Sequence, residues 1–294
     1  MKTTLDVGIP FVAFLIMVVV GLELTVADFR KVIRSPRMVT AALIGQILLL
    51  PLCAVALVQI LHPKPHIMTG LLLIAACPAG GLSNYYTCLA RANTALSVSL
   101  TAGSCVAALG TMPVVIAAYE LYLGTSIGFE VPAARLIGSL VMMLVLPVLT
   151  GMALRHYRTA FVTRHETTFK AAALAGLTVL IAYVVSEEGA RVVEDMTEIA
   201  VAGTMFVGLS MATGYAVGAL SGEEPRDSFA LLIEFAVRNV GIATAIAVTI
   251  LGRVDFAVFA AAYFLIETPI LFAAVILFKM KSVPLSRVSI PSVQ

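Results

Sequence analysis

Cys77-Pro78-Ala79-Gly80-Gly81-Leu82-Ser83-Asn84 interrupts an apolar run otherwise long enough to be one membrane helix. Proline removes a backbone donor and paired glycines cost helix stability, so a kink or unwound stretch is expected there. A second run is broken by Glu234-Phe235-Ala236-Val237-Arg238-Asn239-Val240-Gly241, which sets three strongly polar side chains at mid-membrane depth. Irregular backbone at that depth is tolerated only where it is buried in protein or lines a cavity. The two stretches decide the fold because they recur at matching places along the chain.

That chain is apolar on a scale no soluble protein could cover. Hydrophobic residues make up 60% of its 294 positions and charged residues 12%, against about 25% charged in soluble domains. The apolar residues come in runs of about twenty, each long enough to cross a hydrocarbon core about 30 Å thick. Counting runs predicts nine spans, at 8–27, 37–61, 68–90, 94–119, 132–154, 168–187, 197–220, 228–251 and 255–279. No segment between them is long enough for a soluble domain, so residues 1–294 read as one transmembrane domain of an all-α polytopic protein.

Charge sets the expected orientation. Arg30, Lys31, Arg34, Arg37, Arg91, Arg155, Arg158, Arg164, Lys170, Arg226, Lys279, Lys281 and Arg287 put thirteen basic residues on one side. The other side holds Lys2, Lys64, Arg135, Arg191 and Arg253 beside an acidic loop of Glu187, Glu188, Glu194, Asp195 and Glu198. The basic side is cytoplasmic by the positive-inside rule, with the N-terminus outside and the C-terminus inside. A plasma (inner) membrane location is expected, and membrane lipid is the surrounding partner. Residues 1–7 are short and polar and no small-residue cleavage site follows, so no secretory signal is expected.

Several classes drop out. The net charge is +2 and no basic cluster is interleaved with aromatics, so nucleic acid is not an expected partner. Cys53, Cys77, Cys88 and Cys105 lie in apolar runs without a CxxC pair and read as small packed residues. His62, His66, His156 and His165 fall at loops or span ends, and their spacing suggests no metal site. The spans carry no His, HExxH or GxSxG, so an enzyme is not expected. Pro51, Pro113, Pro147 and Pro269 read as kinks, and the pairs Met142-Met143 and Tyr85-Tyr86 as packing residues.

Spans 1–4 and 6–9 form two four-helix units with the broken helix third in each. The offset of five spans gives the units opposite orientation. Inverted repeats with matching broken helices point to a transporter whose site lies near the bilayer midplane. The plain alternative is that Pro and Gly are common in transmembrane helices; two matched breaks carrying polar residues argue against it.

From Gly21-Leu22-Glu23-Leu24 through the ninth span, the chain resembles the bile acid:sodium symporter family. The most specific stretch runs from Pro78 to Thr101 and includes Leu89-Ala90-Arg91-Ala92-Asn93-Thr94-Ala95-Leu96-Ser97, and Glu234…Asn239 is the second signature. Bacterial members often have ten helices, and the resemblance implies that the first is missing here. It also implies a panel domain of spans 8–27, 132–154 and 168–187 and a core of 37–119 and 197–279, in which the two broken helices cross.

The resemblance further implies a first sodium site of Ser83, Asn84, Ser97, Thr101 and Glu234. The chemistry agrees, since a hard cation takes several oxygens, one carboxylate balances its charge, and Ser97 and Thr101 share a helix face. The second family site maps to Gln46, Glu234 and a position held here by Arg238. A guanidinium has no acceptor and is always charged, so it cannot ligate a cation. Arg238 is therefore expected to stand in for the second sodium and reduce the stoichiometry to one. Asn239, and Arg238 as an alternative role, are the expected substrate contacts.

Glu267 in the ninth span departs from bacterial relatives, which tend to carry a neutral or His-containing stretch there. Intramembrane carboxylates usually pair, so Arg238 could face Glu234, Glu267 or an anionic substrate. The implied activity is sodium-driven import of an organic anion, a bile-acid-like molecule or small carboxylate. Sodium is the coupling ion, with no organic cofactor and no other metal. The alternative is a sodium-independent or proton-coupled carrier of the same fold, with Glu267 as the proton carrier.

Overall fold

The computed structural model describes residues 2–34, 36–123, 133–222 and 224–282; Arg287 and position 132 lie outside the described residues. The regular elements among them are helices, joined by short turns, with no strand. In chain order these are α1 (Lys2–Glu23), α2 (Val26–Arg34), α3 (Arg37–Leu61), α4 (Pro65–Ala76), α5 (Leu82–Leu89), α6 (Thr94–Leu123) and α7 (Ala134–Tyr157). Then come α8 (Thr159–Arg164), α9 (Glu166–Glu194), α10 (Met196–Leu220), α11 (Pro225–Ala236), α12 (Val240–Ile250) and α13 (Val254–Ser282). By length and composition α3, α6, α7, α9, α10 and α13 can each cross a membrane, and Ile9–Glu23, α4 and α12 are apolar but shorter. The protein is an all-α polytopic membrane protein.

The proline signals resolve into two outcomes. Pro51 and Pro147 each follow a π-helical turn, Gly45–Leu49 in α3 and Val141–Val145 in α7. A proline ring clashes with the carbonyl four residues earlier, and a widened turn gives the carbonyls of Ile47 and Met143 room. Pro113 and Pro269 lie inside α6 and α13, each of which continues as one helix past its proline.

Another correction concerns the acidic loop. Glu187, Glu188 and Glu194 lie in α9, which carries one non-helical residue at Glu188 (φ −119°, ψ 20°), and Glu198 opens α10. Local pairing explains why so charged a stretch stays helical. Arg191 reaches Glu188 at 3.0 Å, one turn away. Asp195, at the turn between α9 and α10, is held by the Lys64 ammonium and by His66 Nε2 at 2.8 Å. The basic segment after the first span is also more ordered than a loop. Asp28 Oδ2 accepts from Thr25 N at 2.9 Å and from Thr25 Oγ1 at 2.6 Å, the carboxylate half of a capping box at the start of α2.

The two broken helices meet at their breaks. Between α4 and α5, Cys77 turns the chain extended (ψ 152°), and between α11 and α12 Val237 does the same (ψ 106°). Gly80 N donates to Val237 O and Asn239 N to Pro78 O, both at 3.0 Å, with Ala79 and Arg238 bridged antiparallel. Each break thus satisfies backbone groups that the other leaves open, where neither water nor a helix could. Gly80 is needed here: a Cβ at that position would stand 2.8 Å from Arg238 O.

Around the breaks the helices pack closely on one another. α4 lies against α13, and α10 packs on α11 and α13, burying Leu71, Leu72, Leu73, Phe206, Phe235, Phe259 and Tyr263. α1 packs on α7 and α9. The α1–α7 contact is a backbone approach between small residues, since a Cβ on Gly21 would sit 2.2 Å from Val148 O and one on Gly151 2.1 Å from Val18 O. Small residues at such crossings allow close van der Waals packing where lipid removes the hydrophobic drive.

Candidate functional site

Five side chains from three helices converge beside the paired breaks. The first break delivers Ser83 and Asn84 in the opening turn of α5. Asn93 Oδ1 accepts from Leu96 N at 3.0 Å at the start of α6, and the following turns carry Ser97 and Thr101 on one face. Glu234 lies in the last turn of α11, just ahead of the second break. All five are buried, and Glu234 is fully inaccessible.

Their oxygens form one network. Glu234 Oε2 accepts from Ser97 Oγ at 2.6 Å and Oε1 from Thr101 Oγ1 at 2.8 Å. Ser97 Oγ is 3.0 Å from Asn84 Oδ1 and 3.4 Å from Ser83 Oγ. Thr101 Oγ1 is 3.3 Å from Ser83 Oγ and 3.5 Å from Asn84 Oδ1. Oxygens at octahedral corners about 2.4 Å from a hard cation stand about 3.4 Å apart. The cluster already has nearly that spacing, and only the two Glu234 contacts would need to open. A buried carboxylate met only by neutral hydroxyls is a poor arrangement without a positive partner.

The expected second site is assembled differently. Arg238, also buried, donates to Cys77 O, and its Nη2 lies 3.5 Å from Ala75 O. These carbonyls belong to the C-terminal end of α4, the negative end of its dipole. Arg238 therefore pairs with backbone rather than forming an ion pair with Glu234 or Glu267. Its Nε and Nη1, and both amide atoms of Gln46, have no hydrogen-bond partner among the described residues. Arg238 and Gln46 line one pocket of about 310 Å³ with Cys77, Pro78, Ser104 and Thr111. Glu234, grouped with them from the resemblance, is not in its lining.

Asn239 and Glu267 fall at the edges. Asn239 Oδ1 accepts from Ile242 N at 3.0 Å and caps α12, while Nδ2 lies 3.3 Å from Met17 Sδ on α1. Glu267 on α13 is buried beside the backbone of Arg238 and forms no ion pair with its guanidinium among the described residues. Tyr263, one turn earlier, donates to Ala236 O at 2.5 Å and takes up another carbonyl freed by the second break.

Residues outside the expected set complete the picture. Asn84 Nδ2 donates to Glu23 Oε2 at 2.9 Å, and Glu23 Oε1 is 3.3 Å from Lys170 Nζ. Arg155 Nη1 donates to Leu22 O at 2.6 Å, closing the end of α1. Glu23 lay in the stretch where the family resemblance begins, and a further sequence signal was its position, a carboxylate at the last residue of an apolar helix, where the dipole disfavours it.

Comparison with known proteins decides the family. The model of the sodium bile acid symporter family matches residues 10–195. The chain belongs to this family.

The match takes in Ser83, Asn84, Ser97 and Thr101 and ends before Glu234. A probable chloroplastic sodium/metabolite cotransporter of Arabidopsis thaliana is 28% identical over 223 residues, 76% of this chain and 54% of that protein. The matched stretch thus spans about half the length of that relative. A sodium-dependent transporter of Bacillus subtilis is 27% identical over 234 residues, 79% of this chain and 71% of that one. The hepatic sodium/bile acid cotransporter of Rattus norvegicus is 29% identical over 160 residues, 54% and 44% of the two chains. Sodium bile acid symporters are transporters, not enzymes, and this member is a multi-pass membrane protein.

Proposed function

We propose that the protein imports an organic anion across the plasma (inner) membrane, driven by one sodium ion held at Ser83, Asn84, Ser97, Thr101 and Glu234. The observation that carries this is the cluster of five oxygen-bearing side chains, where Ser97 and Thr101 bond a buried carboxylate at 2.6 and 2.8 Å and themselves stand 3.0–3.5 Å from the oxygens of Ser83 and Asn84. Sodium binding draws the hydroxyls off the carboxylate and fixes α5, α6 and α11 to one another.

In this reading the chain crosses the membrane nine times, N-terminus outside and C-terminus in the cytoplasm. Spans 8–27, 132–154 and 168–187 form a panel, and spans 37–119 and 197–279 a core of inverted repeats. The packing of α1 on α7 and α9 supports the division. Rocking of core against panel gives alternating access. Asn239, capping α12 and facing Met17 on α1, stands where the two sets of helices meet and contacts the anion. Bile-acid-like molecules and small carboxylates are the substrate class, in keeping with the names of the relatives.

Arg238 replaces a second sodium. Its guanidinium already occupies the carbonyls at the end of α4 that a bound cation would use. Its remaining donors, free in the pocket with Gln46, suit a carboxylate of the substrate. A second reading, proton coupling, is favoured by one observation: Glu267 is a buried carboxyl with no side-chain partner among the described residues.

Uptake of labelled bile acids and small carboxylates into proteoliposomes tests both readings, under an inward sodium gradient and, separately, an inward proton gradient. Sodium-driven uptake that E234Q abolishes is the expected result. Uptake that follows the proton gradient and is lost in E267Q establishes the second reading. Absence of any anion transport, with hydrolytic activity in its place, overturns both.

A further inference from the structure

Glu23 lies at the end of α1, 61 residues away from Asn84, and no part of the proposed ion shell requires it. Its contacts nevertheless bear on that shell. An asparagine side chain offers one oxygen and one NH2 group on opposite branches of the same amide. Only the oxygen can help to hold a cation. A carboxylate accepts hydrogen bonds and donates none, so Glu23 can bind Asn84 in one orientation alone, with Nδ2 toward itself. Oδ1 is then turned to Ser97 and Thr101, where it stands at 3.0 and 3.5 Å. Without Glu23 the amide could turn over and present NH2 groups to the cluster, which would repel a cation.

The position of Glu23 adds a second element. As the last residue of α1 it sits at the negative end of the helix dipole, where a carboxylate is destabilising unless paired. Three neighbours hold this end. Lys170 on α9 approaches Glu23 Oε1 at 3.3 Å, Arg155 on α7 takes the carbonyl of Leu22 at 2.6 Å, and Asn84 on α5 takes Glu23 Oε2 at 2.9 Å. α1 packs on both α7 and α9, whereas α5 belongs to the broken-helix pair. The Glu23–Asn84 bond therefore bridges the two groups of helices at the ion cluster itself.

We propose that Glu23 is a positioning residue for the cation: it turns the Asn84 carbonyl into the cluster, and so ties ion retention to contact between α1 and α5. The inference rests on the five-oxygen cluster being the sodium site. When α1 and α5 separate, the bond breaks, the amide is released, and the site loses one oriented oxygen. Ion release and separation of the helix groups become one event. Lys170, shared with Glu166 at 2.7 Å, offsets part of the Glu23 charge.

The test is sodium binding to the purified full-length protein in nanodiscs, by calorimetric titration of sodium chloride against choline chloride at constant ionic strength. Partners one layer outside a metal typically alter affinity about 10- to 100-fold, and E23Q and E23A are expected to weaken sodium binding within that range. Melting temperatures in choline chloride, close to wild type for E23Q, separate this loss from misfolding. The conservative variant E23D keeps a carboxylate and recovers part of the affinity. In the double variant E23Q/N84D, a carboxylate at position 84 presents oxygen in either orientation, and the amide at position 23 donates to it. Its affinity is expected to return toward wild type. Wild-type sodium affinity in E23Q, or no recovery in the double variant, overturns the proposal. Absence of sodium binding in the wild type instead overturns the cluster as the sodium site.

Discussion

Glu234 and Arg238 are separated by one helical turn of sequence, yet their surroundings are opposites. Around Glu234 the polar side chains are joined in one network, with hydroxyl donors at 2.6 and 2.8 Å. Around Arg238 the polar atoms are largely idle, since the guanidinium Nε and Nη1 and both amide atoms of Gln46 lack partners. The first environment consists of acceptors and rotatable hydroxyls around a negative charge and is suited to a mobile cation. The second has its positive charge built in, directed at the carbonyls of Cys77 and Ala75. The difference teaches that two adjacent places at the same pair of helix breaks can be neutralised in two ways, one reversible and one covalent.

The comparison breaks most visibly at Glu234. E234Q keeps the shape but removes the only full charge among the five ligands. Sodium affinity, measured by titration of uptake, is expected to fall more than about 100-fold, beyond the usual range for outer partners. Retained sodium dependence in E234Q would mean that the ion binds elsewhere.

Arg238 sharpens it next. R238Q removes the tethered charge and restores a neutral oxygen beside the α4 carbonyls. The sodium Hill coefficient of uptake is expected to rise from about one toward two, since sites that had been filled by the side chain become open to the ion. A coefficient near two in the wild type, falling on mutation of Gln46, would remove Arg238 from this role. S97A and T101A follow in size. Each deletes one hydroxyl on the carboxylate, and hydrogen bonds to charged groups contribute about 1.5–3 kcal/mol, so sodium affinity should drop roughly 10- to 100-fold. Q46A is expected to change it less than about threefold, because neither amide atom is bonded.

The smallest effect on transport is expected at Asp195, which serves as a control outside the membrane. Hydrogen bonding from Lys64 holds its carboxyl below the usual carboxylate range, with help from His66. A lowered folded pKa means that its stabilisation is present above the ordinary Asp value near 3.9 and is lost as pH falls through the folded value. The melting temperature of the wild type should therefore decline on acidification below about pH 4. D195N should flatten that decline and leave sodium affinity unchanged.

How far these regions could be anticipated follows from the range of the forces involved. Ser97 and Thr101 were legible through the family resemblance, and their spacing agreed with it, because residues four apart on a helix share a face whatever surrounds it. Both breaks were legible because Pro78, Gly80 and Gly81, or three polar side chains in an apolar run, are locally incompatible with a plain membrane helix. Charge misled at Glu187, Glu188 and Glu194: hydropathy assigns them to a loop, while Arg191, Lys64 and His66 supply the partners that keep this segment helical.

By itself the sequence determined that this is a helical membrane protein with two matched interruptions, because hydropathy and backbone sterics act within a turn or two of chain. Which partner each polar group takes was decided only by tertiary structure. Arg238 could have faced either glutamate or neither, and it took the carbonyls that the other break had set free. Glu23 reached Asn84 across 61 residues, and nothing in either local sequence announces the pairing. Buried polar groups in a membrane must satisfy one another, and that requirement is met in three dimensions, where sequence separation carries no weight.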